Sequence, residues 1–348
     1  MRDLYTKLNA VIDKINFSDL WEGFHRFDFA LYNNEEIFLK DEIIPWNENF
    51  YGNTAIEFND QIIAIWKVEA LEGIDIDVLT SKLIHEMFHA YQKEMNEKRW
   101  PDENEAIFKY EYSIKNLTIK FQENLLLKSL IKNFKEDDFK EFLSMRAYRK
   151  DHFPYEFIYE TKVEVIEGMA EYIETKALAL LDEKKYNAKI ERLASRITNK
   201  ENLLPIRMIS YDIGALVCLV AEKNNINFSH KIGSTDSTVD EMIARSYNVR
   251  NYYFINEDQD IKRLIKKHNQ ENEDMIFRYL IKCNHNLTDL NYQLAGFDPY
   301  NARAFNNKLY CPGFLAYLDE SKNFKIINET CVVDVDKNYK IDKIHYHK

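Results

Sequence analysis

Cysteine is scarce in this chain of 348 residues, and its four copies, Cys218, Cys283, Cys311 and Cys331, stand far apart with no Cys-x-x-Cys pair. That spacing does not look like a disulfide frame or a zinc knuckle and points to reduced thiols in a cytoplasmic protein. Long apolar runs are missing too. The longest, near Ile213–Ala221, is far shorter than a membrane span. The N-terminus from Met1 to Leu8 spreads charges through its length and has no apolar h-region, so no signal peptide is expected. Nor is there a basic block. Lys and Arg total 47 against 58 Asp and Glu, a net charge of −11, which makes nucleic acid and anionic membranes poor partners. The charge is that of an ordinary soluble protein kept dispersed by self-repulsion.

What the chain does contain is core-forming material, 45% hydrophobic and 14% aromatic, well outside the range of disordered chains. The stretch that organises the rest is Leu79–Gln92. Apolar residues recur there at Leu79, Leu83 and Met87 and at Ile84, Phe88 and Tyr91, with no Gly or Pro between Ile74 and Trp100, so it reads as a helix. Within it lies His85-Glu86-Met87-Phe88-His89. At about 100° per residue the two histidines fall one turn apart on one face and can reach a single metal ion. Glu86 points about a quarter turn away, where its carboxylate can touch a water on that metal without being a ligand. This is the arrangement of zinc-dependent hydrolases. Two surface histidines on an amphipathic helix would give the same letters. The apolar surroundings argue for burial, where unpaired imidazoles are costly and a metal would satisfy them.

Along the chain, Asp3–Ile15 reads as an amphipathic helix. Phe27–Tyr32 and Ile37–Leu39 read as strands, and Asn53–Phe58 and Gln61–Val68 as a hairpin around Asn59-Asp60. Asp75 or Asp77 is a plausible N-cap for the histidine helix. Helices are expected at Glu105–Leu117, Ile119–Phe134, Asp137–Tyr148, Glu156–Leu181, Ala188–Ile197 and Pro205–Glu222. Three shorter ones are expected at Val239–Ser246, Gln259–His268 and Asp274–Cys283. From Leu294 the texture turns strand-like, at Phe314–Leu318, Phe324–Asn328, Thr330–Val335 and Ile344–His347. The expected fold class is α+β, mostly helical. An N-terminal helix and sheet lobe spans 1–75, a helical core 76–290 with extra helices at 105–150, and a small β subdomain 291–348.

A catalytic zinc takes a third protein ligand and leaves a position open. Glu160, Glu164, Glu167, Glu171 and Glu174 form a stripe on one face of the Glu156–Leu181 helix. Such a stripe is ordinarily a solvated acidic face. Gly168 speaks against that, because a mid-helix Gly costs about 1 kcal/mol relative to Ala and is useful where another backbone comes close. Glu167 is the first choice of ligand and Glu164, one turn earlier, the second.

His-Glu-x-x-His followed by Glu167-Gly168-Met169-Ala170-Glu171-Tyr172 resembles the gluzincin zinc metallopeptidases. It is most similar to the branch of the membrane-alanyl-type aminopeptidases and leukotriene-A4 hydrolase. The resemblance implies a gluzincin-like catalytic domain with Zn²⁺ as cofactor, Glu167 as third ligand and Glu171 supporting a histidine from behind. It also implies an oxyanion-stabilising Tyr, matched by Tyr211 in Tyr211-Asp-Ile-Gly214. The match runs from about Asn53 to Glu222. It departs from the family in the long gap between His89 and Glu167, where the helices from Glu105 to Tyr148 would be an insertion walling or covering the cleft. It departs again at Ala55-Ile56-Glu57, where the Gly and Asn of the amine-anchoring segment are absent and Glu57 has no assured role. The hairpin equally resembles the substrate-pairing edge of thermolysin-like enzymes. The expectation is therefore a zinc peptidase acting on peptide substrates, exo- or endopeptidase undecided. His85, His89 and Glu167 would hold the metal, Glu86 would be the general base and Tyr211 the oxyanion donor. A zinc-bearing scaffold that no longer hydrolyses, or a hydrolase of non-peptide substrates, would use the same shell.

Overall fold

The structure is a computed structural model that describes residues 1–40, 42–249 and 256–347. The fold is α+β and mostly helical. Two helices, α1 (Arg2–Ile12) and the short α2 (Phe17–Leu20), lead into a five-stranded sheet. Its strands are β1 (Phe29–Tyr32), β2 (Glu36–Phe38), β3 (Ile43–Pro45), β4 (Thr54–Phe58) and β5 (Gln61–Lys67). Their spatial order is β3-β2-β1-β5-β4, with β1 parallel to β5 and the other pairs antiparallel. Asn59 and Asp60 both take positive φ, 50° and 60°, as a two-residue hairpin turn requires, and β4 forms one edge of the sheet, β3 the other.

The histidine helix is α3 (Ile76–Glu94), and Asp75 caps it by accepting from the backbone N–H groups of Asp77 and Val78 at 3.1 and 3.2 Å. It packs between the sheet and the glutamate-bearing helix. The intervening helices are α4 (Glu103–Lys109), α5 (Ile114–Lys132) and α6 (Glu136–His152). The expected single helix from Glu105 to Leu117 is broken, because Ser113 starts a new one by accepting from the Asn116 N–H at 3.2 Å. Then come α7 (Pro154–Val163), a wide π turn over Glu164–Gly168, and α8 (Met169–Leu181). After them follow α9 (Glu183–Ile197), α10 (Ile206–Lys223), α11 (Val239–Ala244) and α12 (Gln259–Lys282). The polar stretch Asn269–Glu273 reads as a gap between two helices, yet α12 runs through it: Ile261 and Ile276 are buried and most of the polar side chains stay outside.

The C-terminal β subdomain comprises β6 (His285–Leu287), β7 (Tyr292–Phe297), β8 (Arg303–Phe305), β9 (Lys308–Cys311), β10 (Leu315–Leu318), β11 (Phe324–Ile327), β12 (Cys331–Val335) and β13 (Lys340–Tyr346). They order as β11-β10-β7-β13-β12-β9-β8, with β6 on β13. Sequence reading misses β3 and β6–β9, most of which are only three or four residues long, too short to show alternation. Leu294, Leu309, Val333 and Ile341 belong to a core separate from the main one. The main core joins α1, one face of the first sheet and the helices. No helix among the described residues is long and apolar enough to cross a membrane.

Candidate metal centre

α3 brings the imidazoles of His85 and His89 together with their Nε2 atoms 3.1 Å apart. Glu167 Oε2 approaches from the π turn, 3.2 Å from His89 Nε2 and 3.9 Å from His85 Nε2. The tautomers follow from what lies behind each ring. Gln92 must turn its amide N–H toward the Ile166 carbonyl, which can only accept (3.0 Å), so its Oε1 faces His89 Nδ1 at 2.8 Å. His89 therefore carries its proton on Nδ1. His85 Nδ1 stands 3.2 Å from Glu174 Oε2, close but off strict hydrogen-bond geometry, and again the proton belongs on that side. Two bare Nε2 lone pairs and one carboxylate oxygen are thus left facing one another, an arrangement that calls for a cation. Ligands at about 2.0–2.1 Å in a tetrahedron stand roughly 3.3 Å from each other; the 3.1 and 3.2 Å separations match this and the 3.9 Å one is wider, so the three atoms could hold a metal ion of that size.

Glu164 does not share this role. Its carboxylate binds Arg146 Nη2 at 2.6 Å and Lys120 Nζ at 3.3 Å, on the side away from the histidines. The π turn explains the divergence. In an α-helix, residues three apart sit on one face, but a wider turn advances each residue by less than about 100°, and Glu164 and Glu167 fan out toward different partners. The acidic stripe is not a solvated face. Glu160 and Glu164 pair with buried cations, Glu167 meets the histidines, and Glu171 and Glu174 share Lys189. A second candidate group, His85 with Glu171 and Glu174, already has a cation beside it: Lys189 pairs with the Oε1 atoms of both carboxylates, while His85 Nδ1 faces their Oε2 atoms.

Gly168 does admit a second backbone, though not that of the histidine helix. A Cβ there would lie 2.6 Å from Gly214 Cα, and one on Gly214 would lie 2.7 Å from the Glu164 carbonyl, so α10 crosses the π turn glycine on glycine. The Gly of Tyr211-x-x-Gly214 thereby has a steric purpose. Replacing Gly168 by Ala in an ordinary helix stabilises by about 1 kcal/mol. Here the expected result is the opposite sign, a loss of roughly 2–3 kcal/mol from overpacking, measured by urea unfolding.

Around these three candidate ligands lie further charged and hydrogen-bonding side chains. Glu174 is the nearest carboxylate behind His85, with Glu171 farther at 3.8 Å, so the support expected from Glu171 is shared and Glu174 leads it. Arg207 donates from Nη2 to Glu167 Oε1 at 3.0 Å, from Nε to Glu103 Oε1 at 2.9 Å, and from Nη1 to the Tyr211 hydroxyl. Tyr211 also meets the Tyr300 hydroxyl at 2.7 Å. Burial pushes the Glu167 carboxyl up, but His89 and His85 in their protonated forms, together with Arg207, more than offset this and hold it well below the usual carboxylate range. Burial pushes Glu86 up, with His85 and His89 opposing; Tyr211 is driven well above an ordinary phenol by burial and by Glu167. A carboxylate poised upward beside bare imidazoles suits a general base.

The centre opens into a cavity of about 940 Å³ lined by Glu86, Tyr211, Trp66, Tyr51, Tyr300 and Phe314 among others. Its walls come from the hairpin side, where Gly52–Thr54 lead into the edge strand β4, and from loops of the C-terminal sheet around 298–301 and 313–314. Ala55 of β4 offers its carbonyl to Lys93 Nζ of α3, while Glu57 is exposed and does not line the cavity. The helices at 105–150, expected as a wall or lid, contribute nothing to that lining. They back the glutamate helix and supply Lys120, Arg146 and Arg149 to it. Arg207, Lys189 and Tyr300 escape sequence reading, and Glu174 is read only as a member of the stripe, without its place behind His85. Arg207 stands one turn before Tyr211 and could have been found by that spacing; Tyr300 carries no signal at all.

Against known proteins, the chain matches no family model, no curated protein and no solved structure.

Proposed function

We propose that the chain is a zinc-dependent peptidase of gluzincin type. The observation that supports this best is the convergence of three proton-free acceptor atoms, on His85, His89 and Glu167, beside Glu86 and at the floor of a large cavity. Zinc, held there, supplies Lewis acidity toward a carbonyl oxygen and brings the pKa of a water toward about 7. The protein's own groups do the rest. Glu86 takes the proton of the attacking water and returns it to the leaving amine. Gln92 and Glu174 keep the imidazoles in the ligating tautomer. Arg207 fixes the second oxygen of Glu167, and the Tyr211 side of the cavity faces the developing oxyanion. The edge strand β4, reaching the cavity through Thr54, offers a place for an extended substrate backbone. A cytoplasmic setting accords with four free cysteines, among them Cys311 and Cys331 facing each other unbridged across β9 and β12.

Metal analysis paired with digestion of a mixed peptide library tests the reading. The expected result is stoichiometric zinc and peptide-bond cleavage in the intact chain, both lost in His89→Ala. Stoichiometric zinc without cleavage points instead to a metal-bearing binding protein or to a non-peptide substrate. Absence of zinc at micromolar free metal ends the proposal.

A further inference from the structure

The oxyanion donor suggested by sequence, Tyr211, does not have an unoccupied hydroxyl. Arg207 can only donate, so the Tyr211 oxygen accepts from it, and the same hydroxyl lies 2.7 Å from that of Tyr300. Two phenols carry two protons. One is consumed between them, and one remains for a substrate. If Tyr300 donates to Tyr211, the Tyr211 oxygen must accept twice, although one of its lone pairs is conjugated into the ring. If Tyr211 donates to Tyr300, each oxygen accepts once and donates once, and the bonds run in one direction from the guanidinium outward, each polarising the next. Exposure points the same way: Tyr211 is 8% exposed and Tyr300 is 40% exposed, and both line the cavity.

We infer that Tyr300 is the terminal phenol of a relay running Arg207 to Tyr211 to Tyr300, and that it, not Tyr211, donates the hydrogen bond to the oxyanion. Tyr300 lies between β7 and β8. An Asp298-headed turn holds it there, accepting from the Tyr300 N–H at 2.9 Å and from Asn301 Nδ2 at 2.8 Å. The Arg207 guanidinium sits 5.3 Å from the Tyr300 ring centre and steadies the ring from behind. The C-terminal β subdomain therefore completes the active site by supplying a reacting group. No covalent bond changes at the phenols; the proton stays on Tyr300 and only the partner of its hydrogen bond changes.

This inference rests on the peptidase reading, and the test separates the two. Tyr300→Phe, Tyr211→Phe and the double variant are assayed on a peptide that the intact chain cleaves. Their zinc content, thermal midpoint and calorimetric affinity for a phosphinic pseudo-tripeptide with a tetrahedral centre are also measured. Tyr300→Phe should lower kcat by about 10²-fold, the usual loss for one oxyanion donor, with KM, zinc and midpoint little changed. Tyr211→Phe, which only removes polarisation from the relay, should cost about tenfold, and the double variant should be no worse than Tyr300→Phe alone. Phosphinate affinity should fall in the same order. If Tyr300→Phe keeps wild-type kcat and affinity while Tyr211→Phe loses about 10²-fold, the inference is overturned and Tyr211 is the donor. Phosphinate binding that depends on Tyr300 in a chain that cleaves no peptide would sustain the relay and remove the peptidase reading.

Discussion

Glu86→Gln should abolish peptide turnover while leaving zinc bound. The expected loss in kcat is about 10²–10⁴-fold, the range for removal of a positioned general base. The amide is isosteric with the carboxylate and keeps the side chain in place, but it cannot accept the proton of the attacking water. Glu86 is buried and is not among the three converging ligand atoms, so zinc stoichiometry and thermal midpoint should stay at their wild-type values. The substitution also relieves a buried carboxyl that burial disfavours, and the variant should be no less stable than the parent. Turnover near the wild-type rate, with zinc intact, would falsify the mechanism.

The second large effect lies away from the cavity. Arg146→Met should destabilise the fold by about 3–5 kcal/mol, read as a drop in the urea midpoint. Arg146 is 1% exposed and holds Glu164 and Asp240 at once, so a methionine of similar length takes the cation from buried Asp240 and leaves Glu164 with Lys120 alone. Arg149 and Lys120 repeat the arrangement around Glu160, which is 0% exposed. Burial pushes the Glu160 carboxyl up, yet Arg149 and Lys120 bring it down to about 2 from the ordinary 4.5. The sign follows from that depression. The stability contributed by Glu160 is complete above about pH 4.5 and drains away as pH falls toward 2. Adding Asp240→Asn and Glu164→Gln to Arg146→Met should recover part of the loss, because neutral amides are cheaper to bury than unpaired charges.

The site was legible where its chemistry is local. His85, Glu86 and His89 lie within five residues of one helix, and helical geometry alone places both imidazoles on one side. Glu167 was legible from its pairing with Gly168, a glycine that admits another backbone, although the sequence does not say whose; it is that of α10, not of α3. Counting by 3.6 residues per turn put all five glutamates on one face, and the π turn that separates Glu164 from Glu167 leaves no mark in periodicity. The buried cations that answer those glutamates come from α5, α6 and α9, and no spacing rule links Lys120 or Arg146 to Glu164. Tyr300 is the extreme case: a loop residue more than eighty positions from its hydrogen-bond partner, on a sheet with its own core. Among the secondary elements, the hairpin at Asn59-Asp60 and the cap at Asp75 were readable because turn and cap chemistry is written in adjacent side chains.

The Gly168–Gly214 crossing also acts as a gauge. Where two helices meet through side chains, their separation can be retuned by trading one side chain for another, and small errors are absorbed by rotamers. Here the spacer is backbone alone, so the interval between the turn that bears Glu167 and the helix that bears Arg207 and Tyr211 is a fixed length. Swelling or shrinkage of the neighbouring core can tilt the two segments but cannot move them apart without losing the contact. Glu167 and the Arg207–Tyr211 pair are thus held to a common ruler, and drift in the surrounding sequence has little purchase on the distance between them.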